Sequence, residues 1–447
     1  PTVQNMYESM KEDFKSEAVL PWGVVTYYRA TSPAVGGTFT SLEPSQEKLD
    51  KAEPAWKESM NDYNVMVVTI ARAAGENTNY TPGEDGVNPD QDLNQADPLG
   101  LSDTERATID AAVKAKEENG GKVIVLLNNA SAMEIDELKN NDGIDAMLEI
   151  GIPGGYGFYG VADVLSGEAN PSGHLADTYA VDNSASPAAQ NYGDYEWTNA
   201  DSDYSINSEI VEAEGIYTGY KYYETRYADT VLGQGNASDS VGSSTGGAWT
   251  YNSEVSYPFG YGLSYTTFTQ TLNSLNVDLE NKKVTAEVTV TNTGDVAGKD
   301  VVQLYASTPY TDYDKEHLVE KAAVQLLDYE KTDELASGES TTVTITADAQ
   351  DMASWDSTAS NEAGTTGNYI LDAGDYYFTI GNGAHEAVNN VLAAQGYNES
   401  NGMTSAGNAT NVKSWKLAAM DTTTFAKTEN GTAVENQLQD MDLNTYM

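Results

Sequence analysis

The apolar positions of the chain follow two different patterns, which meet near residue 265. Between residues 64 and 175, short apolar runs alternate with helical segments, whereas beyond 265 apolar and polar residues alternate in steps of two. The first pattern is typical of buried parallel strands separated by helices, and the second of strands with one buried face. The sequence therefore predicts an α/β domain followed by an all-β domain.

Three apolar runs predict the strands of the α/β domain: NVMVVTI (64–70), KVIVLLN (122–128) and IDAMLEIGI (144–152). A helix is predicted before the second run, because Ser102 and Glu105 form a capping box and the Gly120–Gly121 pair ends the helix. Shorter helices are predicted in AMEIDELKNN and GFYGVADVLSG. This order predicts an α/β three-layer sandwich over residues 1–185, a mostly parallel sheet with helices on both faces.

The second domain is predicted from period-two stretches such as KKVTAEVTVTNTGDVAGKDVVQLYAS, STTVTITA and GDYYFTIGNG. The turn signals ASGES and LDAGD separate them. Short strands at regular spacing predict an immunoglobulin-like or fibronectin type III-like β-sandwich over residues 263–395. The Tyr- and Gly-rich range 186–262 is predicted to be an irregular connector, and 396–447 a linker or tail.

The composition of the chain excludes several classes of partner and of catalytic site. The chain carries 23 Lys and Arg against 69 Asp and Glu, a formal net charge of −46. Such a field disfavours nucleic acid and anionic membranes as partners, whereas a neutral sugar tolerates it. The absence of cysteine excludes disulfides, thiolate catalysis and Cys-based zinc sites. No apolar run approaches the ~20 residues that a membrane span needs.

Two motifs resemble ligand sites, but structural interpretations are favoured for both. GGYGFYG contains G-x-G-x-x-G at Gly155, Gly157 and Gly160, as in dinucleotide sites. Pro153 and three aromatic residues crowd this loop, so a tight turn between strand and helix is favoured, and neither a cofactor nor a metal is expected. The tyrosine cluster at 215–227 is interpreted as interface packing rather than as a sugar platform.

A third stretch, VMVVTIARAAGENTNYTPGED (65–85), leads from an apolar run into an acidic loop. Ligands of open parallel sheets bind beyond the carboxyl ends of the strands. Glu76 lies six residues after Ile70 and next to Gly75, which is a suitable place for a general acid. Position alone does not single it out among the chain's acidic residues, and Glu84 lies on the same loop.

Across about residues 60 to 385, the chain resembles the glycoside hydrolase family 3 β-glucosidases. The resemblance rests on stretches in the family's order, including VVTIARAAGEN, LSDTERATIDAAV, VIVLLNNASAMEID, IDAMLEIGIPGGYGFYGVADVLSGEANPSGHLADT, EGIYTGYKYYETRY, YPFGYGLSYTTF and VTVTNTGDVAGKDVVQLY. It implies an α/β sandwich with a fibronectin type III-like domain. It also implies a retaining exo-acting β-glycosidase that hydrolyses terminal β-linked glucose from oligosaccharides without a cofactor.

The resemblance implies a role for Glu76. The family's general acid/base is often the glutamate of a Gly-Glu-Gly stretch that follows an Ile-Ser-Arg strand end, and Arg72, Gly75 and Glu76 align with it. The family continues with an aromatic residue, Asp and Arg, whereas this chain continues NTNYTPGED, so Glu84 is the runner-up. The same resemblance makes GGYGFYG the family's Pro-Gly turn.

The family's nucleophile is expected outside this chain. It is an aspartate, commonly followed by Trp, on a TIM-like barrel, and a Lys-His motif helps to hold the sugar. None of the six tryptophans here follows Asp, and none of the three histidines follows Lys. A barrel domain or chain is therefore an expected partner, to which 396–447 would lead, and the start of the α/β domain is expected to be clipped.

The resemblance leaves one competing class, a non-catalytic structural or carbohydrate-binding module of a glycosidase assembly. The expected ligand in either case is a β-linked oligosaccharide or glucoside. A homo-oligomer is compatible with the sequence. The acidic, cysteine-free composition favours a secreted or cell-surface location, with a cytoplasmic one as the alternative.

Overall fold

A computed structural model of the chain describes residues 47, 50–51, 54–72, 97–191, 195–196, 208–209, 212–234 and 243–437. The chain divides into two compact units. Unit 1 comprises residues 1–169 and 179–183, and unit 2 comprises 170–178 and 184–447.

Unit 1 is built on a parallel sheet in the order β1-β2-β3, with strands β1 (Val65–Ala71), β2 (Lys122–Asn128) and β3 (Ala146–Glu149). Each predicted strand is present, although the third is shorter than its apolar run. Ala71 lies opposite Asn128, so β1 and β2 end level with each other. The sheet therefore presents the carboxyl ends of its strands at one edge.

The predicted helices of unit 1 are also present: α1 (Asp103–Asn119), α2 (Asp136–Lys139) and α3 (Gly154–Ser166). The Ser102 hydroxyl accepts the Glu105 N–H, and the Glu105 carboxylate accepts the Ser102 N–H, which confirms the capping box. Gly167 ends α3 in the left-handed conformation, with φ 80°. Shorter elements of this unit are a helical turn at Trp56–Ser59, a 3₁₀ turn at Met60–Asp62 and a strand at Tyr179–Ala180.

The helices of unit 2 are Pro187–Asn191, α4 (Tyr220–Leu232), Tyr251–Glu254, α5 (Asp312–His317) and α6 (Ala384–Ala394). A short antiparallel pair joins Tyr195–Glu196 to Ser208–Glu209, and Val255–Tyr257 is a further short strand. The tyrosine cluster of the sequence lies on and just before α4, where Tyr223 and Tyr227 are buried. Tyr227 donates its hydroxyl to Asn389 of α6 at 2.6 Å, so these rings pack inside unit 2.

The rest of unit 2 is an antiparallel β-sandwich. Its strands are β4 (Phe268–Asp278), β5 (Lys283–Asn292), β6 (Val301–Ser307), β7 (Gln325–Lys331), β8 (Ser340–Asp348), β9 (Ser354–Ser360), β10 (Thr366–Ile370), β11 (Gly374–Gly381) and β12 (Val412–Leu417). One sheet has the order β7-β6-β11-β12 and another β8-β5-β4, and β9 pairs with β10 as a hairpin. The predicted class of this domain is thereby confirmed.

Period-two alternation produces the sandwich core. On β5, Val284, Ala286, Val288 and Val290 are all fully buried, and the residues between them are more exposed. They belong to one cluster with side chains of the other sheet, such as Phe378. Burial of these branched side chains from both sheets is the main favourable term for the fold.

Strand β12 lies in the range that the sequence pattern predicted to be a linker or tail. It pairs with β11, placing Trp415 opposite Tyr376 with ring centroids 5.2 Å apart. In VKSWKL two polar residues, Lys413 and Ser414, follow each other and interrupt the alternation, and Trp415 and Leu417 are only partly buried against the core. Because an edge strand is stabilised by its neighbour, periodicity did not reveal it.

No helix within the described ranges combines the length and the apolarity needed to cross a bilayer.

A buried asparagine fixes the turn that follows β5. The Asn292 side chain is fully buried, and its Oδ1 accepts hydrogen bonds from the Thr266 hydroxyl at 2.7 Å and the Gly294 N–H at 3.1 Å. Its Nδ2 donates to the carbonyls of Val296 and Leu335, both at 2.8 Å. The amide thus uses both donors and both acceptor positions.

Replacement of Asn292 by Ala is expected to lower the free energy of unfolding of the sandwich by about 2–4 kcal/mol, because buried backbone groups lose their partners. Urea unfolding followed by tryptophan fluorescence measures this change. The exposed neighbour Thr293 is the matched control, and Thr293→Ala should cost no more than about 1 kcal/mol. Equal losses in the two variants would contradict the role given to Asn292.

Candidate active site

The two acid/base candidates of the sequence, Glu76 and Glu84, lie outside the described residues. They belong to the segment 73–96, which follows β1 and precedes α1. The described residues at its two ends, Arg72 and Asp97, show how the segment is attached to unit 1. The described part of the candidate site therefore consists of the residues that flank and support this segment.

Arg72, the first residue after β1, has a buried guanidinium, and only 1% of its side chain is exposed. Its Nη2 donates to Glu105 Oε2 at 2.9 Å, and its Nη1 contacts Glu105 Oε1, so the pair is bidentate. Nη2 also donates to the Gly100 carbonyl at 2.7 Å, and Nε donates to the Pro98 carbonyl at 2.9 Å. One side chain thus binds both the residues that follow the segment and the helix that comes after them.

This network holds Arg72 and the residues 98–100, which flank the segment 73–96, at the same edge of the sheet. The Arg72 N–H donates to the Asn128 carbonyl at the end of β2, which fixes the start of the segment. Glu105 accepts the Ser102 N–H and lies in the first turn of α1, where a negative charge is favourable. The residues that flank the segment are therefore anchored on strand ends and on a helix N-terminus.

A carboxyl pair lies beside these flanking residues. The Glu134 N–H donates to the Leu99 carbonyl at 3.0 Å, and Glu134 Oε1 accepts the Asn183 N–H at 2.6 Å. Burial and a hydrogen bond with the Asp97 carboxyl raise the pKa of Glu134 from the ordinary 4.5 to about 8. At neutral pH the pair therefore retains one proton, which lets two acidic groups lie side by side.

Glu149, the last residue of β3, is a third carboxyl at this edge. Its Oε1 accepts the Gly151 N–H at 2.7 Å, and its Oε2 accepts the Tyr179 hydroxyl at 3.0 Å. Burial raises its pKa. These contacts give Glu149 a structural role in holding the turn before α3.

Neither Glu134 nor Glu149 belongs to a motif that predicts a site from the sequence. Each lies beside apolar residues, in AMEID and MLEIG, within predicted elements. An acid inside an apolar run is costly to bury unless it is paired, so this context is the signal that could have identified both.

The glycines of GGYGFYG lie inside α3, which begins at Gly154 with φ +61°. A Cβ added at Gly157 would lie 2.5 Å from the Pro153 Cβ. Glycine is thus required there by contact with the turn itself, which supports the interpretation of the motif as a tight strand-to-helix turn. Among the described residues, no cluster of His, Asp and Glu side chains could hold a metal ion.

Replacement of Arg72 by Met is expected to lower the free energy of unfolding of unit 1 by about 3–5 kcal/mol, because Glu105 keeps an uncompensated buried charge. Arg106 is the matched control, since it pairs with Glu137 while 40% of its side chain is exposed. Arg106→Met should cost about 0–1 kcal/mol in the same denaturant titration. If the Arg72 and Arg106 variants lose equal stability, the Arg72 network does not support this edge.

The raised pKa of Glu134 predicts that the stability of unit 1 depends on pH. Because its pKa is higher in the folded chain, its contribution to stability is complete below about 4.5 and is lost as the pH rises to about 8. Glu134→Gln should remove this term, so the variant should gain about 2–5 °C in melting temperature relative to wild type between about pH 5 and about pH 8.5. Glu118→Gln, at an exposed position of α1, is the control and should show no such gain. A constant difference between Glu134→Gln and wild type across this range would refute the assignment.

Comparisons with known proteins identify two domains, and the first extends beyond unit 1 into the residues of unit 2. Residues 1–265 match the glycosyl hydrolase family 3 C-terminal domain, and residues 300–384 match the fibronectin type III-like domain. Among curated proteins, beta-glucosidase A of Butyrivibrio fibrisolvens is 33% identical over 283 residues, covering 60% of this chain and 29% of that protein. A beta-glucosidase of Ruminococcus albus is 30% identical over 368 residues, covering 80% of this chain and 31% of that protein. The chain thus spans about a third of the length of these relatives.

Solved structures with the same fold include beta-glucosidase 3B from Thermotoga neapolitana in complex with alpha-D-glucose. That structure has a TM-score of 0.56 and 25% identity, covering 89% of this chain and 43% of its own. A beta-glucosidase from Paenibacillus barengoltzii has a TM-score of 0.60 at 23% identity, covering 89% and 35%. Because the family match covers more than half of the residues, this chain belongs to glycosyl hydrolase family 3, of which it contains the C-terminal α/β domain and the fibronectin type III-like domain.

Proposed function

We propose that this chain is the part of a retaining, exo-acting β-glucosidase that supplies the general acid/base. The complete enzyme would release terminal β-linked glucose from oligosaccharides or simple glucosides. Family membership and the names of the relatives support the glycosidase class. The observation that carries the acid/base role is the anchoring of segment 73–96 by Arg72 at the strand ends.

The mechanism needs two carboxyl groups about 5–5.5 Å apart. We assign Glu76 the role of the group that protonates the leaving oxygen and later deprotonates water, with Glu84 as the alternative. The nucleophile would be an aspartate on a TIM-like barrel outside this chain. The sandwich of unit 2 would have a structural role.

The Arg72 network suits such an acid/base. Glu76 is four residues from Arg72 along the chain, so one end of its segment starts from a buried, fully hydrogen-bonded anchor. A general acid must meet the leaving oxygen within hydrogen-bond reach, and small displacements cost rate steeply. An anchored base limits such displacements.

The second candidate function is a non-catalytic structural or carbohydrate-binding module. The observation that favours it is the sequence after Glu76, which departs from the aromatic-Asp-Arg pattern of the resemblance. A module of this kind would bind a β-linked oligosaccharide, and no residue of segment 73–96 would take part in its hydrolysis. The substitution experiment below separates the two.

We further propose a secreted or cell-surface location, supported by the acidic and cysteine-free composition. Immunodetection of the natural protein in culture supernatant and cell fractions tests this proposal. Recovery in the cytosolic fraction alone would refute it.

Glu76→Ala in the complete natural protein is expected to reduce kcat/KM on cellobiose by about 10²–10⁴-fold, because a poor leaving group needs protonation. A dinitrophenyl β-glucoside, whose leaving group needs no proton, should retain much more of its glycosylation rate. Azide should restore turnover of the activated substrate by replacing the water that the missing base no longer activates. Steady-state kinetics with and without azide measure all three effects.

Glu84→Ala is the matched control on the same segment and should preserve the response to leaving group and azide. The reverse result, with azide rescue only in the Glu84 variant, would transfer the role to Glu84. Small and equal effects of both variants on both substrates would refute the acid/base proposal and favour the non-catalytic module.

A further inference from the structure

Three ionisable side chains lie together inside unit 2, and none of them has a role in the proposed hydrolysis. Lys321 lies between α5 and β7, Asp314 lies in α5, and Asp372 lies between β10 and β11. Their side chains are only 3%, 0% and 1% exposed, respectively. Such burial of three ionisable groups is rare and costly in protein interiors.

The lysine nitrogen points directly at both acids. Lys321 Nζ contacts Asp372 Oδ2 and lies 3.2 Å from Asp314 Oδ1. It also donates a hydrogen bond to the Pro309 carbonyl at 2.9 Å. The amine therefore lies beside one carboxyl group while a second carboxyl faces it.

The two acids have different surroundings. Asp314 Oδ2 accepts the Thr311 N–H at 2.6 Å and the Thr311 hydroxyl at 2.9 Å. The Oδ1 atom of Asp372 makes no hydrogen bond within the described part of the chain. Burial raises the pKa of Asp372, and the neighbouring Asp314 carboxylate raises it further, against the lowering effect of Lys321.

One lysine cannot neutralise two buried carboxylates, so the fully ionised cluster would carry an uncompensated negative charge. Transfer of a proton from the ammonium of Lys321 to Asp372 produces a neutral amine and a neutral carboxylic acid. In apolar surroundings this neutral pair avoids the cost of separated charges. These two species are the reactants of amide formation, already in contact.

We propose that Lys321 and Asp372 form an intramolecular isopeptide bond, with Asp314 as the proton-transferring residue. Lys321 Nζ attacks Cγ of the protonated Asp372, and the Asp314 carboxylate accepts the proton that the attacking nitrogen loses. Asp314 returns this proton to the departing hydroxyl, which leaves as water. A Cγ–Nζ bond forms, a Cγ–O bond breaks, and neither an oxidant nor a cofactor is consumed.

The neighbourhood suits this reaction. The Tyr376 hydroxyl donates to the Asp372 backbone carbonyl at 3.0 Å, and Tyr376 is itself 1% exposed. This contact fixes the backbone that carries the electrophilic carbon. Exclusion of bulk water favours amide formation over its reversal, and a preorganised contact removes the entropic cost of bringing the groups together.

The bond would have a clear structural effect. It would join positions 51 residues apart and connect the α5–β7 segment to the β10–β11 turn. A cross-link of this kind restricts the unfolded chain as a disulfide does. The chain has no cysteine, so an amide is a covalent staple that its composition permits.

The decisive measurement is the mass of the folded, full-length chain, which does not depend on the proposed glycosidase activity. The expected intact mass is lower than that of the sequence by one water molecule. Tandem mass spectrometry after protease digestion should identify one branched peptide in which Lys321 is joined to Asp372. An unchanged mass with both residues recovered in linear peptides would overturn the proposal and leave an ordinary buried ion pair.

Substitution of Lys321 and of Asp314 tests which residues take part in forming the bond. Lys321→Arg keeps the positive charge but replaces the nucleophilic amine, so its mass should equal that of its sequence. Asp314→Asn keeps both reactants and removes the proton acceptor, so the rate of linkage should fall at least about 10²-fold, the lower end of the range for general-base effects. Water loss that persists in Lys321→Arg would place the modification elsewhere and would overturn the assignment, whatever the stability of the variants.

Discussion

The buried ion pair between Arg72 and Glu105 is the contact on which the described part of unit 1 depends. It joins the end of β1, the residues before α1 and the first turn of α1 in one hydrogen-bonded group. Neither charge can be removed alone, because the other would then remain in a dry environment without a counter-charge. The strand end and the helix start are therefore constrained to stay together at one edge of the sheet.

The free-energy cost of burying an acidic side chain is offset in three different ways in this chain. Glu105 has a fully charged partner in Arg72. Glu134 retains a proton and shares it with its neighbouring acid. Asp314 and Asp372 share one lysine, which leaves the cluster short of positive charge. With a formal net charge of −46, solvated carboxylates cover the surface at little cost, so the informative acids of this protein are the few inside it.

Strong local patterns were sufficient to predict much of the fold. The run KVIVLLN predicted the strand Lys122–Asn128 to the residue, and the Ser102–Glu105 capping box predicted the start of α1. Alternation in KVTAEVTVTN predicted β5 and its buried valines. Strand β12 was not predicted, because two successive polar residues interrupt its alternation; it is stabilised by pairing with β11 and by partial burial of Trp415 and Leu417 against the core. Helix α4 was not predicted either, since its tyrosines resemble loop composition until they pack against α6.

The sequence by itself determined the two fold classes, the family resemblance and the position of Glu76 after a strand, because each depends on residues close together in the chain. The tertiary structure decided which charges are buried and with which partners. Arg72 and Glu105 are 33 residues apart, and Lys321 and Asp372 are 51 residues apart, so no local pattern joins them. Burial and long-range pairing are properties of the packed chain, and they change the chemistry of a carboxyl or an amine far more than its sequence neighbours do.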